Sequence, residues 1–254
     1  MRELNGKVAI VTGASMPQGI GCAIARRFAQ MGASLFLVAD RTADQLADIA
    51  AICRSFSQAA RVETALIDLG TADGAERMID EASRIFGRID ILINNAAVRT
   101  FVDFGDYTRE EFDRSIAVNL ATPFFASQAV LPIMRRQKSG RIIHIASQLG
   151  HVTFKQRALY GATKAALIHL TKSMAYELGK ENIVVNAISP GPIATQQMLV
   201  RDPAVNEART NRYLPIGRAG EPEEIAEIAL FLATDCPAFL QGQDIVVDGG
   251  YTIH

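Results

Sequence analysis

Tyr160 and Lys164 stand four residues apart in the segment LYGATKAAL, whose Ala-rich composition predicts a helix, so the two side chains share one face. A tyrosine hydroxyl titrates near 10 and is a weak base at neutral pH. An ammonium beside it favours the phenolate and lowers that pKa. The pair can therefore take a proton from an alcohol or return one to a forming alkoxide. Ser147 follows the apolar run Ile142–Ile145, thirteen residues before Tyr160. Its hydroxyl can hydrogen-bond a substrate oxygen on which charge develops. Singly, each residue has an ordinary structural reading as a turn former, a packed aromatic or a solvated lysine. Their combination is what points to proton transfer at a carbon–oxygen bond.

A second chemistry-bearing stretch lies near the N-terminus. The apolar run Val8–Val11 leads into Thr12-Gly-Ala-Ser-Met-Pro-Gln-Gly-Ile-Gly21, and Cys22–Met31 reads as an Ala-rich helix. Glycines in a strand-to-helix turn let the backbone approach a pyrophosphate, and the helix N-terminus adds N–H donors and a positive dipole end. The position of the turn gives it weight, because an isolated Gly-rich turn is more often only a tight turn. Asp40 follows the next apolar run, nineteen residues after Gly21. A carboxylate there can accept hydrogen bonds from both hydroxyls of an adenosine ribose and would repel a 2′-phosphate, which favours NAD over NADP. Arg41 is the counter-signal, since a guanidinium could pair with that phosphate, and Gln18 offers no second cation. The oxidised nicotinamide of such a cofactor carries positive charge, acts on the tyrosine in the same direction as Lys164, and accepts hydride as the alcohol proton leaves.

The elements that must position these groups are legible as an alternation. Val8–Val11, Leu35–Ala39, Val62–Ile67, Ile91–Ile93, Ile142–Ile145, Ile183–Ile188 and Ile245–Val247 are short, apolar and mostly β-branched, and read as parallel strands buried on both faces. Helical patterns lie between them. Thr42-Ala-Asp-Gln45 and Thr108-Arg-Glu-Glu111 have capping-box form, and Glu221-Pro222-Glu223-Glu224 places proline in the first turn and acids at the positive end of the dipole. The fold class predicted is α/β: a doubly wound parallel sheet of about seven strands with helices on both faces. No linker or repeat divides residues 1–254, so a single domain is expected.

Composition narrows the function classes. Apolar residues are 49% and charged residues 21% of the 254, enough for a full core, which excludes disorder as the main state. Lys and Arg number 26 against 27 Asp and Glu, with no basic stripe, so no nucleic-acid partner is expected. Cys22, Cys53 and Cys236 are scattered and form no CxxC, which predicts reduced thiols and a cytoplasmic protein. No uninterrupted apolar run approaches a membrane-spanning length and MRELNGKVAIVTG runs directly into a strand pattern, so neither a membrane partner nor a signal peptide is expected. The histidines show no HExxH and no clustering with cysteine, so no metal is expected; GxSxG and GxxxxGK[ST] are also absent.

The ordered segments ILINNAAV, VNLATPFFASQAVLP, GRIIHIASQLG, LYGATKAAL, VNAISPGPIAT and GQDIVVDGG resemble the short-chain dehydrogenase/reductase family in its form of about 250 residues. The resemblance covers essentially the whole chain and implies a Rossmann fold and oxidation or reduction between an alcohol and a carbonyl. It implies that Ser147, Tyr160 and Lys164 are catalytic, with Asn119 of VNL helping to hold a water that links the lysine to solvent. It implies cofactor contacts at Gly13, Ser15, Gln18, Gly19, Ile20, Gly21, Asp40, Arg41, Asp68, Leu69, Asn95, Ala96, Ala97, Pro190, Gly191, Ile193 and Thr195, besides Tyr160 and Lys164. Asn94 resembles the family member that braces the sheet. Three departures stand out: five residues instead of three between Gly13 and Gly19, with Met16-Pro17 as an inserted pair expected to bulge outward near the ribose; Ala97 for a common glycine; and His144 and Ala146 for a common Asn and Ser.

The same resemblance places the substrate loop at about 195–214, carrying Arg201, Arg209 and Arg212, with Val98–Phe101 and Gln148–Arg157 beside the site. Their polarity leans toward a sugar, sugar acid or polyol as the small-molecule substrate. The alternatives are a 3-oxoacyl thioester or other ketone reductase of the same family and a catalytically silent dinucleotide-binding protein. The resemblance also implies a homotetramer, or a dimer, pairing through the helix Leu159–Leu178, its neighbour with Phe124-Phe125, and the C-terminal strand.

Overall fold

Seven strands form one all-parallel sheet in the computed structural model, which describes residues 3–40, 42–56, 61–199 and 213–253. They are β1 (Val8–Thr12), β2 (Ser34–Ala39), β3 (Val62–Leu66), β4 (Ile91–Asn94), β5 (Gly140–Ile145), β6 (Ile183–Pro190) and β7 (Asp244–Val247), in the spatial order β3-β2-β1-β4-β5-β6-β7. Each predicted strand is present, with ends displaced by one or two residues. The fold is of Rossmann type and a single domain.

The described helices are α1 (Ile20–Gln30), α2 (Ala43–Phe56), α3 (Gly74–Phe86), α4 (Arg109–Ile116), α5 (Thr122–Gln137), α6 (Ala158–Leu178), the short α7 (Gln196–Leu199) and α8 (Pro222–Ala233). Side chains alternate across a strand, so a strand buried on both faces feeds two cores. Ala9 and Val11 of β1 pack with α1, α2 and α8 on one face, while Ile10 packs with α3, α5 and α6 on the other. This is the helices-on-both-faces arrangement that the runs of Val and Ile demand.

A helix begins directly after each of the three predicted cap residues, Thr42, Thr108 and Glu221. Thr108 accepts from Glu111 N at 3.1 Å while Glu111 accepts from Thr108 N at 2.9 Å. Glu221 N donates to Glu224 at 2.8 Å ahead of Pro222. At Thr42 the backbone differs from that of a usual cap. The residue precedes α2 with φ of +66°, in the left-handed region, whereas a capping-box residue is ordinarily extended.

Measured over a whole helical run rather than as an unbroken apolar stretch, Arg109–Gln137 is long and apolar enough to cross a membrane. The run is built into the domain: Ala126, Val130 and Met134 are buried in the core on one face of the sheet. The three cysteines are buried and free, and burial pushes the Cys53 thiol up to about 12.

Strand order reverses between β1 and β4, which pair directly. A crevice opens at the carboxyl ends of the strands at such a switch point. The two strand ends are knitted there by Thr12, whose hydroxyl donates to Ile93 O at 3.2 Å and accepts from Asn95 N at 2.9 Å and Ala96 N at 3.0 Å.

Candidate active site

A cleft of about 750 Å³ runs along the carboxyl ends of the strands, from Asp40 past the glycine turn to Tyr160. Its walls include Gly13, Ser15, Gly19, Ile20, Gly21, Asp40, Asn95, Ala96, Ala97, Ser147, Tyr160, Lys164, Pro190, Gly191, Ile193 and Thr195 of the residues expected to bind cofactor or act in catalysis. Gln18, Asp68, Leu69 and Asn119 are not on that wall, and Arg41 lies outside the described residues. The expected substrate loop falls mostly on residues 200–212, which also lie outside them.

The glycine turn shows why its glycines are required. Gly13 has φ of +67°, and a Cβ there would stand 2.9 Å from Ala96 Cα. A Cβ on Gly21 would stand 2.5 Å from the Gly13 carbonyl oxygen, so α1 can approach the turn this closely only without a side chain. Asn95 adds a brace by donating to Thr12 O at 2.8 Å and Gly13 O at 3.1 Å. The inserted pair folds into a tight turn closed by Gly19 N donating to Met16 O at 2.9 Å. Met16 thereby lines the cleft, where the sequence led us to expect an outward bulge. The turn is closed by its own backbone bond, a contact no residue type announces.

These residues fit a dinucleotide. Gly19 caps α1 without a side-chain hydrogen bond, so the first N–H groups of an eleven-residue helix are left to an external acceptor. Asp40 stands at the far end. Arg114 of α4, which the sequence reading missed, bridges the acids there, reaching Asp68 at 2.7 Å and Asp40 at 3.7 Å. Asp68 also accepts from Gly70 N at 2.8 Å. Arg114 is far from Asp40 in sequence, and only the fold brings α4 beside the carboxyl end of β2.

At the other end, α6 carries Tyr160 and Lys164 on one buried face, at 6% and 2% exposure. Lys164 Nζ donates to Ile145 O at 2.7 Å and lies 5.6 Å from the Tyr160 ring centre. Burial alone would raise the Tyr160 phenol. The Lys164 ammonium, the Arg99 guanidinium and hydrogen bonds from Arg99 and Ser147 outweigh it, and hold the pKa below the usual 10. Burial likewise lowers the Lys164 ammonium, with Tyr160 opposing that shift and Arg99 adding to it. Arg99 is therefore a second cation on the tyrosine, 5.8 Å from its ring centre. The sequence reading placed it beside the site but gave it no part in tuning the phenol.

Asn119 sits within one π-helical turn, Ala117–Ala121, that joins α4 to α5. Such turns interrupt a helix at functional positions more often than elsewhere. Its side chain is fully buried, accepting from Val98 N at 2.8 Å and donating to Val98 O at 3.0 Å and Thr163 Oγ1 at 3.2 Å. It thus ties the loop that carries Arg99 to the helix that carries Tyr160.

Below the cleft, His144 on β5 faces Asn94 on β4, Nδ1 to amide nitrogen, at 3.2 Å. Burial and the nearby Lys164 lower its pKa from 6.5 to about 3. An unfolded chain would bind a proton on this ring below pH 6.5 while the folded one would not, so stability is lost as pH falls from 6.5 toward 3. His144→Asn should flatten denaturant-derived stability over that window, by up to about 1.4 kcal/mol per pH unit relative to the parent. An unchanged slope would mean that His144 is protonated in the folded state.

Among the described residues, no three His, Cys, Asp or Glu side chains come together as a metal ion would need. The chain belongs to the short-chain dehydrogenase/reductase family and is an oxidoreductase that acts on CH–OH donors, in a family that uses NAD or NADP. The family model that matches it, over residues 13–252, is described as enoyl-(acyl carrier protein) reductase. Similar curated proteins include the 3-oxoacyl-[acyl-carrier-protein] reductase FabG of Thermotoga maritima, 34% identical over 99% of this chain and 100% of that one. The D-threitol dehydrogenase of Mycolicibacterium smegmatis is 35% identical over 99% of this chain and 95% of its own. Among solved structures, a 3-oxoacyl (acyl-carrier-protein) reductase of Agrobacterium tumefaciens C58 with NADP bound superposes with a TM-score of 0.93 at 31% identity, covering 98% of this chain and 96% of that one.

Proposed function

We propose that this chain is an NAD-dependent oxidoreductase that interconverts a secondary alcohol and a carbonyl on a small polyhydroxylated substrate: a sugar, a sugar acid or a polyol. The observation that carries the reading is the convergence of Ser147, Tyr160 and Lys164 on one cleft with the glycine turn and Asp40. The bound dinucleotide supplies the hydride acceptor. Tyr160 is the general base in oxidation and the general acid in reduction. Lys164 and Arg99 favour its phenolate, and Ser147 hydrogen-bonds the oxygen on which charge develops. Asn119 is a positioning residue, acting through the Val98 backbone and Thr163. Ser15, Gly19, Ile20 and Gly21 would hold the pyrophosphate, and Pro190, Gly191, Ile193 and Thr195 the nicotinamide end. The polar Gln148 and Gln196 on the wall support a hydroxylated substrate.

Preference for NAD rests on charge at the ribose. The Asp40 carboxylate lines the cleft at that end, can accept from the ribose hydroxyls and opposes a 2′-phosphate, while Arg41 beside it in the sequence is the opposing charge. Asp40→Ser is expected to reduce the NAD-over-NADP ratio in kcat/KM by about tenfold or more, about 1.4 kcal/mol of discrimination. A parent enzyme that already prefers NADP would refute this assignment.

A homotetramer, with a dimer as the alternative, is supported by the exposed Phe124 and Phe125 on α5 and Tyr176 on α6, at 47%, 42% and 92% exposure. The buried, unpaired thiols support a cytoplasmic setting. A silent dinucleotide binder and a 3-oxoacyl thioester reductase remain the competing readings. Turnover of polyols and sugar acids with NAD, followed by nicotinamide absorbance, separates the proposed reading from both, and turnover of a 3-oxoacyl thioester with NADPH separates those two.

A further inference from the structure

Gln148 Oε1 is a buried acceptor to which no described residue donates. Among the described side chains with a buried atom left in that state, Gln148 is the one that lines the cleft. It directly follows Ser147 and is 4% exposed. A buried acceptor without a donor costs free energy, which a ligand that brings the donor recovers.

The surroundings explain why the chain does not satisfy this oxygen itself. Ser147 accepts from Leu149 N at 3.1 Å and caps the single 3-10 turn Gln148–Gly150. The Gln148 carbonyl accepts from His151 N at 2.9 Å and Val152 N at 3.1 Å, so the backbone that carries the amide is held. The turn is pressed against α6, where a Cβ on Gly150 would stand 2.7 Å from Ile168 Cδ1 and 3.0 Å from Ala165 N. A Cβ on Gly191 would stand 2.9 Å from Gln148 Oε1, which places the oxygen over the Pro190-Gly191 segment. The N–H groups there are engaged: Gly191 N donates to Val247 O at 2.9 Å, Ala194 N to Gly220 O at 2.8 Å and Thr195 N to Ile193 O at 2.7 Å. Pro190 and Pro192 have no N–H to offer. The terminal torsion of a glutamine is broad, so the oxygen can turn to a ligand in the cleft while its stem stays in place. Lys164 at this end, and the charge of an oxidised nicotinamide, disfavour an ammonium donor and leave a hydroxyl.

We propose that Gln148 Oε1 accepts a hydrogen bond from a second hydroxyl of the substrate, on the carbon next to the one oxidised, so that the enzyme selects 1,2-diols over isolated secondary alcohols. Ser147 takes the oxygen of the reacting carbon, and Gln148 takes that of its neighbour. This rests on the reading of the cleft as a site of alcohol oxidation on a polyhydroxylated substrate, and names the unit of that substrate that is recognised. Gln148 determines specificity and takes no part in the proton transfer. A site built to pair with a hydroxyl rejects the analogue that lacks it, because its own polar group is then left unpaired.

The test compares propane-1,2-diol with butan-2-ol, which has CH3 in place of the second OH, each with NAD and the whole protein. The diol should exceed the butanol in kcat/KM by about ten- to a hundredfold, the range that pairing one buried polar group supplies. The methyl ether 1-methoxypropan-2-ol keeps the second oxygen but has no hydrogen to donate, and should fall with butan-2-ol. Gln148→Met should cut the diol-to-butanol ratio by about tenfold or more. Gln148→Glu keeps an acceptor and should retain more of the ratio than Gln148→Met. A parent preference for the diol that is indifferent to Gln148→Met would overturn this proposal and leave the polyhydroxylated reading standing. A parent ratio near one would overturn both. A methyl ether as fast as the diol, equal losses in the two variants, or butane-1,3-diol ahead of propane-1,2-diol would overturn the assignment of the bond. If none of these compounds is turned over, calorimetric titration of the NAD-loaded protein with D-threitol decides it. Saturable binding that weakens about tenfold in Gln148→Met supports the proposal, whereas no binding, or equal binding by parent and variant, overturns it.

Discussion

Tyr160→Phe is expected to lower kcat/KM for alcohol oxidation by about a hundred- to ten-thousand-fold, the range that a positioned general base contributes. The substitution removes one oxygen and keeps the ring that fills a nearly closed site. Lys164 keeps its bond to the Ile145 carbonyl, so the fold and dinucleotide affinity should change little. Initial rates and calorimetric titration of NAD distinguish a chemical defect from a binding one. The parent oxidation rate should fall as pH drops through the Tyr160 pKa, since the phenolate is the active form, and the variant should lack that limb. Retention of a tenth or more of the activity would remove Tyr160 from its role.

Lys164→Met is expected to lower oxidation at neutral pH by about a hundredfold, because each unit by which the phenol pKa rises costs tenfold in phenolate. Burial, which opposes ionisation of Tyr160, would then be countered by Arg99 and Ser147 alone. Unlike Tyr160→Phe, this variant should regain activity as pH is raised, with its acid limb displaced upward. The Ile145 carbonyl loses its donor, at a cost of about 1–3 kcal/mol, partly offset because a buried ammonium no longer has to be desolvated. A pH–rate profile identical in shape to the parent's would show that the lysine does not act through the phenol.

Much of this was legible in the chain because it is locally encoded. The runs of Val and Ile specify strands that feed two cores, the Gly13–Gly21 turn needs its missing side chains, and Tyr160 and Lys164 are one helical turn apart. What escaped depends on contacts between residues distant in sequence. Arg114 reaches Asp40 and Asp68 only through the packing of α4. Arg99 meets Tyr160 across 61 positions, held there by Asn119 from a π-helical turn that its sequence, AVNLA, does not signal. Met16 faces the cleft because the inserted pair closes its own turn, and Thr42 takes a left-handed backbone where its sequence matched a cap.

The central claim is that Tyr160 removes the alcohol proton while hydride passes from the same carbon to NAD. The most direct measurement uses whichever hydroxy compound is turned over, deuterated at its carbinol carbon, followed by mass analysis of the reduced dinucleotide. The account predicts deuterium in the reduced nicotinamide from the parent protein, and a rate that falls as pH drops through the Tyr160 pKa. Reduced dinucleotide without the label, or no reduction of NAD across the alcohol panel, would contradict it.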